Sequence, residues 1–181
     1  MVYVALLRGI NVGGNNKIDM NILKETFIRA GMHSVRTYIN SGNVIFTNRE
    51  STREDIIKSL EKAIFEDFGL DIKVLIRTLD DFEKMMKKVP DFWINDKNMK
   101  CDVLFLWDEI DKEEILNELT IKPKIDTVIY VSGAILWKTD KINVTKSGLM
   151  KLAGSSLYKK MTVRNINTTR KIYEMMKELG E

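Results

Sequence analysis

The stretch Arg8-Gly9-Ile10-Asn11-Val12-Gly13-Gly14-Asn15-Asn16-Lys17 holds the densest potential for chemistry in this chain. It combines two cations, three asparagines and three glycines, and it lies between an apolar run and a helical pattern. A glycine-rich backbone at the mouth of a helix presents N–H groups to an anion, and the helix dipole adds to the attraction. The spacing therefore predicts a loop that holds an anionic or polar ligand, with Arg8, Asn11, Asn16 and Lys17 as the side chains that reach it. Asn40-Ser41-Gly42-Asn43 is a second polar cluster, and Ser41 and Asn43 are its candidate ligand groups. Near the C-terminus, Thr162-Val163-Arg164-Asn165 carries a polar residue at every other step before a helix start. Arg164 and Asn165 complete the candidate set, with Arg164 read as an accessible guanidinium that closes on the ligand and adds little to folding.

None of these residues is a carboxylate, a histidine or an activated nucleophile. General acid–base chemistry needs such groups, so binding is favoured over catalysis, and whether the chain is an enzyme stays open. The ligand expected is nucleotide-like or phosphate-like. The alternative is a transferase or hydrolase that stabilises an anion, and the third reading is a protein-assembly or weak RNA-binding module. No cofactor is expected. The one histidine, His33, cannot build a usual zinc site, and the one cysteine, Cys101, opens an apolar strand pattern and reads as a core thiol.

Sharper motifs fail on particular positions. Gly9 and Gly14 have the glycine spacing of a phosphate-binding P-loop, but Asn15-Asn16 stands where the lysine and hydroxyl should be. No G-x-G-x-x-G occurs in the loop, which disfavours a dinucleotide fold. A related sheet serves RNA-recognition domains through aromatic rings on its first and third strands. Here Tyr3 is present, but Asn43, Val44 and Ile45 follow Gly42.

Composition frames these readings. The chain of 181 residues is 44% apolar and 30% charged, with a net charge of +3. This is the balance of a globular protein with room for one or two small domains. Its apolar runs are too short to cross a bilayer, and no secretory signal pattern opens it. A cytoplasmic protein without membrane contact is expected. From Lys138 to Lys171 there are nine lysines or arginines and one acid, Asp140. That stretch predicts weak, salt-sensitive contact with a polyanion such as nucleic acid. Oligomeric state is not readable from the pattern.

The elements that must position these groups follow from periodicity. An apolar strand covers residues 2–7. A helix near 19–30 carries Met20, Leu23, Phe27 and Ala30 on one stripe. Strands 35–40 and 44–47 flank the Ser-Gly turn. A helix capped by Ser51 or Thr52 follows, and then strand 72–77. The order is βαββαβ, the split βαβ unit. In the second half, strand 102–107 leads to a helix capped by Asp111 with Glu114 three residues on. Strands 127–131 and 135–138 then meet at Ser132-Gly133. The hairpins Ile39-Asn40-Ser41-Gly42-Asn43-Val44-Ile45-Phe46 and Tyr130-Val131-Ser132-Gly133-Ala134-Ile135-Leu136-Trp137 share one pattern, which argues for duplication. A helix at 79–89, capped by Thr78 and stopped by Pro90, joins the halves. The last helix, at 168–179, starts on a cap from Asn167 or Thr168.

The fold expected is thus α+β, two tandem split βαβ (ferredoxin-like) units with an extra C-terminal helix. Residues 1–78 form the first unit with the polar loop, 79–99 the connecting helix and linker, and 100–181 the second unit and final helix. With the common strand order 4-1-3-2, the end of strand one lies beside the start of strand three. Arg8 and its loop then share one sheet end with Ser41 and Asn43.

These residues carry a family resemblance. Arg8-Gly9-Ile10-Asn11-Val12-Gly13-Gly14, then Met20 and Leu23, then Thr37-Tyr38-Ile39-x-Ser41-Gly42-Asn43-Val44-x-Phe46, resembles the bacterial family labelled domain of unknown function 1697. Thr162-x-Arg164-Asn165-x-Asn167-Thr168, followed by Lys171, resembles that family's second motif. The resemblance implies a bacterial cytoplasmic protein of two α+β units and supplies no activity. The family often has Asn-Pro-Phe in the linker and an aromatic residue between the last two asparagines. Here Val89-Pro90-Asp91-Phe92 and Ile166 stand in those places.

Overall fold

The computed structural model describes residues 1–181, which divide into two compact units. The first comprises residues 1–82 with 172–181, and the second residues 83–171.

The first unit runs β1 (Val2–Leu7), α1 (Met20–Arg29), β2 (His33–Tyr38), β3 (Asn43–Thr47), α2 (Arg53–Phe68) and β4 (Val74–Thr78). Its antiparallel sheet has the order β2-β3-β1-β4, the arrangement the sequence pattern predicts. β1 is central, which explains its uninterrupted apolar run: all six residues are buried. Tyr3, Ala5 and Leu7 point to the helical side and pack with Leu23 and Phe27 of α1 and Ile56, Leu60 and Ile64 of α2. Phe46 stacks on Tyr3 at 5.6 Å and meets Phe27 edge-on at 5.8 Å.

Both helices begin where a short polar side chain takes up free N–H groups. Asp19 accepts from Asn21 N and Ile22 N. Thr52 accepts from Asp55 N.

The second unit takes in the end of α3 (Leu79–Met86), then β5 (Met99–Leu106), β6 (Asp126–Val131), β7 (Ala134–Asp140), α4 (Leu149–Ala153), β8 (Met161–Asn165) and the start of α5 (Ile166–Gly180). Its sheet order, β6-β7-β5-β8, repeats that of the first unit. Leu104, Leu106, Ile135, Trp137, Leu152 and Met161 form its core on one side.

Three local expectations are corrected here. The helix expected after Asp111 is replaced by short 3-10 turns at Asp108–Ile110 and Glu113–Glu118. Asp111 is not free to cap a helix, because its carboxylate accepts from the Tyr130 hydroxyl and from Gly133 N, both at 2.9 Å. The last helix is capped by Asn165, which accepts from Thr168 N at 2.9 Å, and not by Asn167 or Thr168. The segment before it, expected only as a polar approach to a helix, is a full strand, β8.

Asp126 anchors the irregular part of the second unit. Its buried carboxylate accepts from Lys122 N, Gly148 N, the Trp137 indole and the Ser147 hydroxyl. Burial pushes its pKa up, but these four donors outweigh burial and hold it below the usual carboxylate range. Gly148 has no alternative residue: a Cβ there would lie 1.6 Å from the Thr120 carbonyl oxygen.

Candidate functional site

The glycine-rich stretch is not an open phosphate cradle. It folds into a miniature hairpin, here called the finger. Asn15 N donates to Val12 O at 3.0 Å, and Asn11 N donates to Asn16 O at 3.1 Å. The turn residues Gly13 and Gly14 have φ of 59° and 79°. Two central residues at positive φ match the tight turn whose twist fits paired strands, and glycine adopts it without strain. Val12, at the tip, is 64% exposed.

The asparagines hold this finger in place. Asn11 sits at φ 52°, which asparagine tolerates better than most residues. Its Nδ2 donates to Ile18 O at 3.0 Å and to Asn40 O at 2.9 Å, and its Oδ1 accepts from Ile18 N at 2.8 Å. One side chain therefore ties the finger to the start of α1 and to the β2–β3 turn. Asn16, at φ 47°, donates from Nδ2 to Gly9 O at 2.9 Å.

The β2–β3 turn lies beside this loop, as the strand order requires. Leu6 pairs with Asn43, and Leu7 N donates to Gly42 O at 2.9 Å. Gly42 has φ 77°, and a Cβ there would approach Leu7 Cβ to 2.8 Å and Ile10 Cδ1 to 2.9 Å. Asn43 is fully buried, and its Nδ2 donates to Tyr38 O and to the Ser41 hydroxyl, each at 3.0 Å. Asn43 thus braces the turn from inside, and Ser41 is half-buried beside it.

Arg8, Asn11, Asn16, Lys17, Ser41 and Asn43 all sit at this end of the first sheet. Asn11, Lys17 and Asn40 line an open depression of ≈ 390 Å³ together with Gly14, Ile18, Asp19 and Met20. Lys17 is exposed there. Arg8 is half-buried, and its backbone N donates to Lys73 O at 3.2 Å. The sequence missed Asp19 and Asn40 as lining residues. Asp19 reads there only as a helix start, and Asn40 takes part through its carbonyl.

Arg164 and Asn165 lie in the second unit. Arg164 is 7% exposed, where an accessible guanidinium was expected. Its Nη1 donates to Thr162 Oγ1 at 3.0 Å and to Val163 O at 2.8 Å. Burial pulls its pKa down to about 10. Three positions away, Asn167 grips the Asn95 backbone in both directions, at 2.9 and 3.1 Å. Arg170 donates to the carbonyls of Trp93, Pro90 and Asp91. This C-terminal motif therefore clasps the linker at 90–95, a role that sequence reasoning did not assign.

Other candidates have plain positions. Cys101 is buried, and desolvation pushes its thiol up to about 11. His33 is exposed at the start of β2. No group of three His, Cys, Asp or Glu residues is placed to hold a metal ion. No helix is long and apolar enough to cross a membrane. In the basic stretch, Lys138 pairs with Asp140 and Lys160 with Glu109, while Arg164 is buried and Arg170 holds carbonyls.

Two four-stranded antiparallel sheets of this order, with their helices, make the chain a mixed α+β protein. The family model described as a protein of unknown function (DUF1697) matches residues 1–137, and the chain belongs to that family. It is similar to the solved structure of the conserved bacterial protein SP0830 from Streptococcus pneumoniae, with 28% identity and a TM-score of 0.83. That match covers 97% of this chain and 98% of the other. No curated protein matches the chain.

Proposed function

We propose that the first unit binds a small polar ligand bearing an anionic group, in the depression beneath the finger, with Lys17 supplying the charge. The observation that carries this reading is the lacing by Asn11, which joins the finger, the α1 start and the β2–β3 turn through three hydrogen bonds. Walls fixed before binding lower the ordering cost of capture. The volume of ≈ 390 Å³ suits a small molecule. Asp19 shares the lining and disfavours a bare anion. The ligand therefore turns a hydrogen-bond donor toward Asp19 and its anionic group toward Lys17, as a nucleotide does with its base edge and phosphate. Binding is favoured over turnover because Asp19 Oδ1 already accepts two backbone N–H groups.

Comparison of the units supports duplication as the origin of this arrangement. Leu7 N donates to Gly42 O, and Leu106 N to Gly133 O. Arg8 N donates to Lys73 O, and Trp107 N to Lys160 O, both at 3.2 Å. Val4 pairs with Arg77 and Val103 with Arg164, and both arginines are buried and donate Nη1 to the preceding carbonyl. Thr78 and Asn165 then each accept from the N–H three residues on, opening α3 and α5. Within this frame Arg8 corresponds to Trp107 and Asn43 to Ala134, so the polar end belongs to the first unit.

The test is a thermal-shift screen of nucleotides, sugar phosphates and amino acids on the wild type and Lys17→Ala. A ligand at a hundred times its Kd adds about 2.7 kcal/mol to native stability. The expected result is a hit whose shift disappears in Lys17→Ala while the ligand-free melting temperature is unchanged. A panel without a hit, or a hit that Lys17→Ala retains, overturns the reading.

A further inference from the structure

We infer that the free edge of β2 is a docking site for an extended acidic–apolar segment of a partner protein, added as a fifth strand to the first sheet. β2 is a terminal strand of its sheet, and such an edge carries an outward row of main-chain donors and acceptors that another strand can pair with. Its last three residues are in regular register with β3: Arg36 with Ile45, Thr37 with Val44 and Tyr38 with Asn43. The register shifts between His33 and Arg36, where Ser34 takes φ 51°. This bulge bends the edge and confines the template to a short stretch.

Beside that bend lies a depression of ≈ 600 Å³, lined by Ile28, Met32, Val35 and Leu179 together with Lys24 and Arg36. Met32 and Val35 are buried and form its floor, and Ile28 is exposed on its wall. The groove thus accepts alternate apolar side chains of an added strand. The charge on its rim chooses the others. Lys24 and Arg36 are cations. The acid facing Arg36 is Glu178 at 3.4 Å, in a pair whose side chains are 45% and 58% exposed. An incoming carboxylate can replace Glu178 in so open a pair. A second copy of this edge would instead set Arg36 and Lys24 against the same cations, so an acidic segment of another protein is favoured over self-pairing.

Fluorescence anisotropy on the full chain tests this with a labelled acetyl-Glu-Val-Glu-Ile-Glu-Val amide. The controls are its Lys-for-Glu counterpart and a version N-methylated at alternate residues. The acidic probe should bind, and both controls should bind at least about tenfold more weakly, the factor that 1.4 kcal/mol represents. Arg36→Glu should weaken the acidic probe by a similar factor, with circular dichroism showing an unchanged fold. Amide resonances of residues 34–38 should shift on titration. Equal binding of the lysine probe overturns the charge argument. Equal binding of the N-methylated probe overturns strand addition, and absence of binding overturns the site. A concentration-dependent dimer in sedimentation, with the amide resonances of residues 34–38 shifting as it forms, assigns the edge to a second copy and overturns the partner assignment. The test does not involve the ligand depression, so it can fail independently of the proposed function.

Discussion

Replacing Asn11 separates a residue that builds the site from one that merely touches a ligand. Asn11→Ala removes three hydrogen bonds of 2.8 to 3.0 Å. Each contributes about 0.5–1.5 kcal/mol net, and the partial exposure of this loop favours the lower half of that range. Their loss costs about 2 kcal/mol in all. The variant also places a Cβ without a local hydrogen-bonding group at φ 52°, which adds about 1 kcal/mol. Asn11→Gly loses the same bonds but adopts that φ freely, so it should lie about 1 kcal/mol above Asn11→Ala. A chain of this length melts about 2–4 °C lower per kcal/mol lost. The expected order is therefore wild type, then Asn11→Gly, then Asn11→Ala. The gap to the alanine variant is about 6–12 °C if the finger unfolds with its unit. Calorimetry measures the shift, and hydrogen exchange at the Ile18 amide reports the broken bond directly. An alanine variant that melts within about 1 °C of the wild type and keeps Ile18 protected refutes the bracing role.

Other perturbations read the second unit. Arg164→Lys should lower the melting temperature, since it buries an ammonium and loses the planar fork that bonds Val163 O and Thr162 Oγ1; a cost of about 2–3 kcal/mol is expected in urea unfolding. Gly148→Ala should cost about 3 kcal/mol or more, because its Cβ would overlap the Thr120 carbonyl oxygen at 1.6 Å and force the backbone to shift, and calorimetry checks this. Asp126 makes the second unit acid-sensitive. Its folded pKa is depressed, so its contribution is fully present above the unfolded value of about 3.9 and is lost as pH falls through the lower folded value. Asp126→Asn should flatten urea stability against pH in that acid window, and a profile identical to the wild type counts against the assignment.

Much of the fold is legible in the sequence because local rules and burial agree. The six apolar residues of β1 are what a central strand needs, and Asp19 and Thr52 stand where helices require caps. Asp111 misleads because its capping pattern is local while its partners, Tyr130 and Gly133, are about twenty residues away. The alternation in Thr162-Val163-Arg164 gives a strand's period but not which face is covered, so the guanidinium reads as exposed although it is buried. The location of the candidate site was readable from strand order, whereas the division of labour within it was not. Asparagine bonds a ligand and its own backbone with the same two groups. Only coordinates show that Asn11, Asn16 and Asn43 face inward to main-chain partners.

That division of labour predicts that the finger can be shortened without losing the fold. Deleting residues 12–15 joins Asn11 to Asn16, whose φ values of 52° and 47° already suit the two central positions of a tight hairpin turn. The bonds from Asn11 to Ile18 and Asn40 lie below the cut and can persist. The core residues Ile10 and Ile18 are also untouched. What disappears is Gly14, one wall of the depression, along with the exposed Val12 tip. The deleted turn buries nothing of the core, so the melting temperature should stay within about 4 °C, the equivalent of roughly 1 kcal/mol. Any ligand that stabilises the wild type through the finger should no longer do so. Loss of cooperative unfolding in the shortened chain means that the tip is required for the fold itself. Retained ligand stabilisation means that the ligand lies elsewhere on the unit.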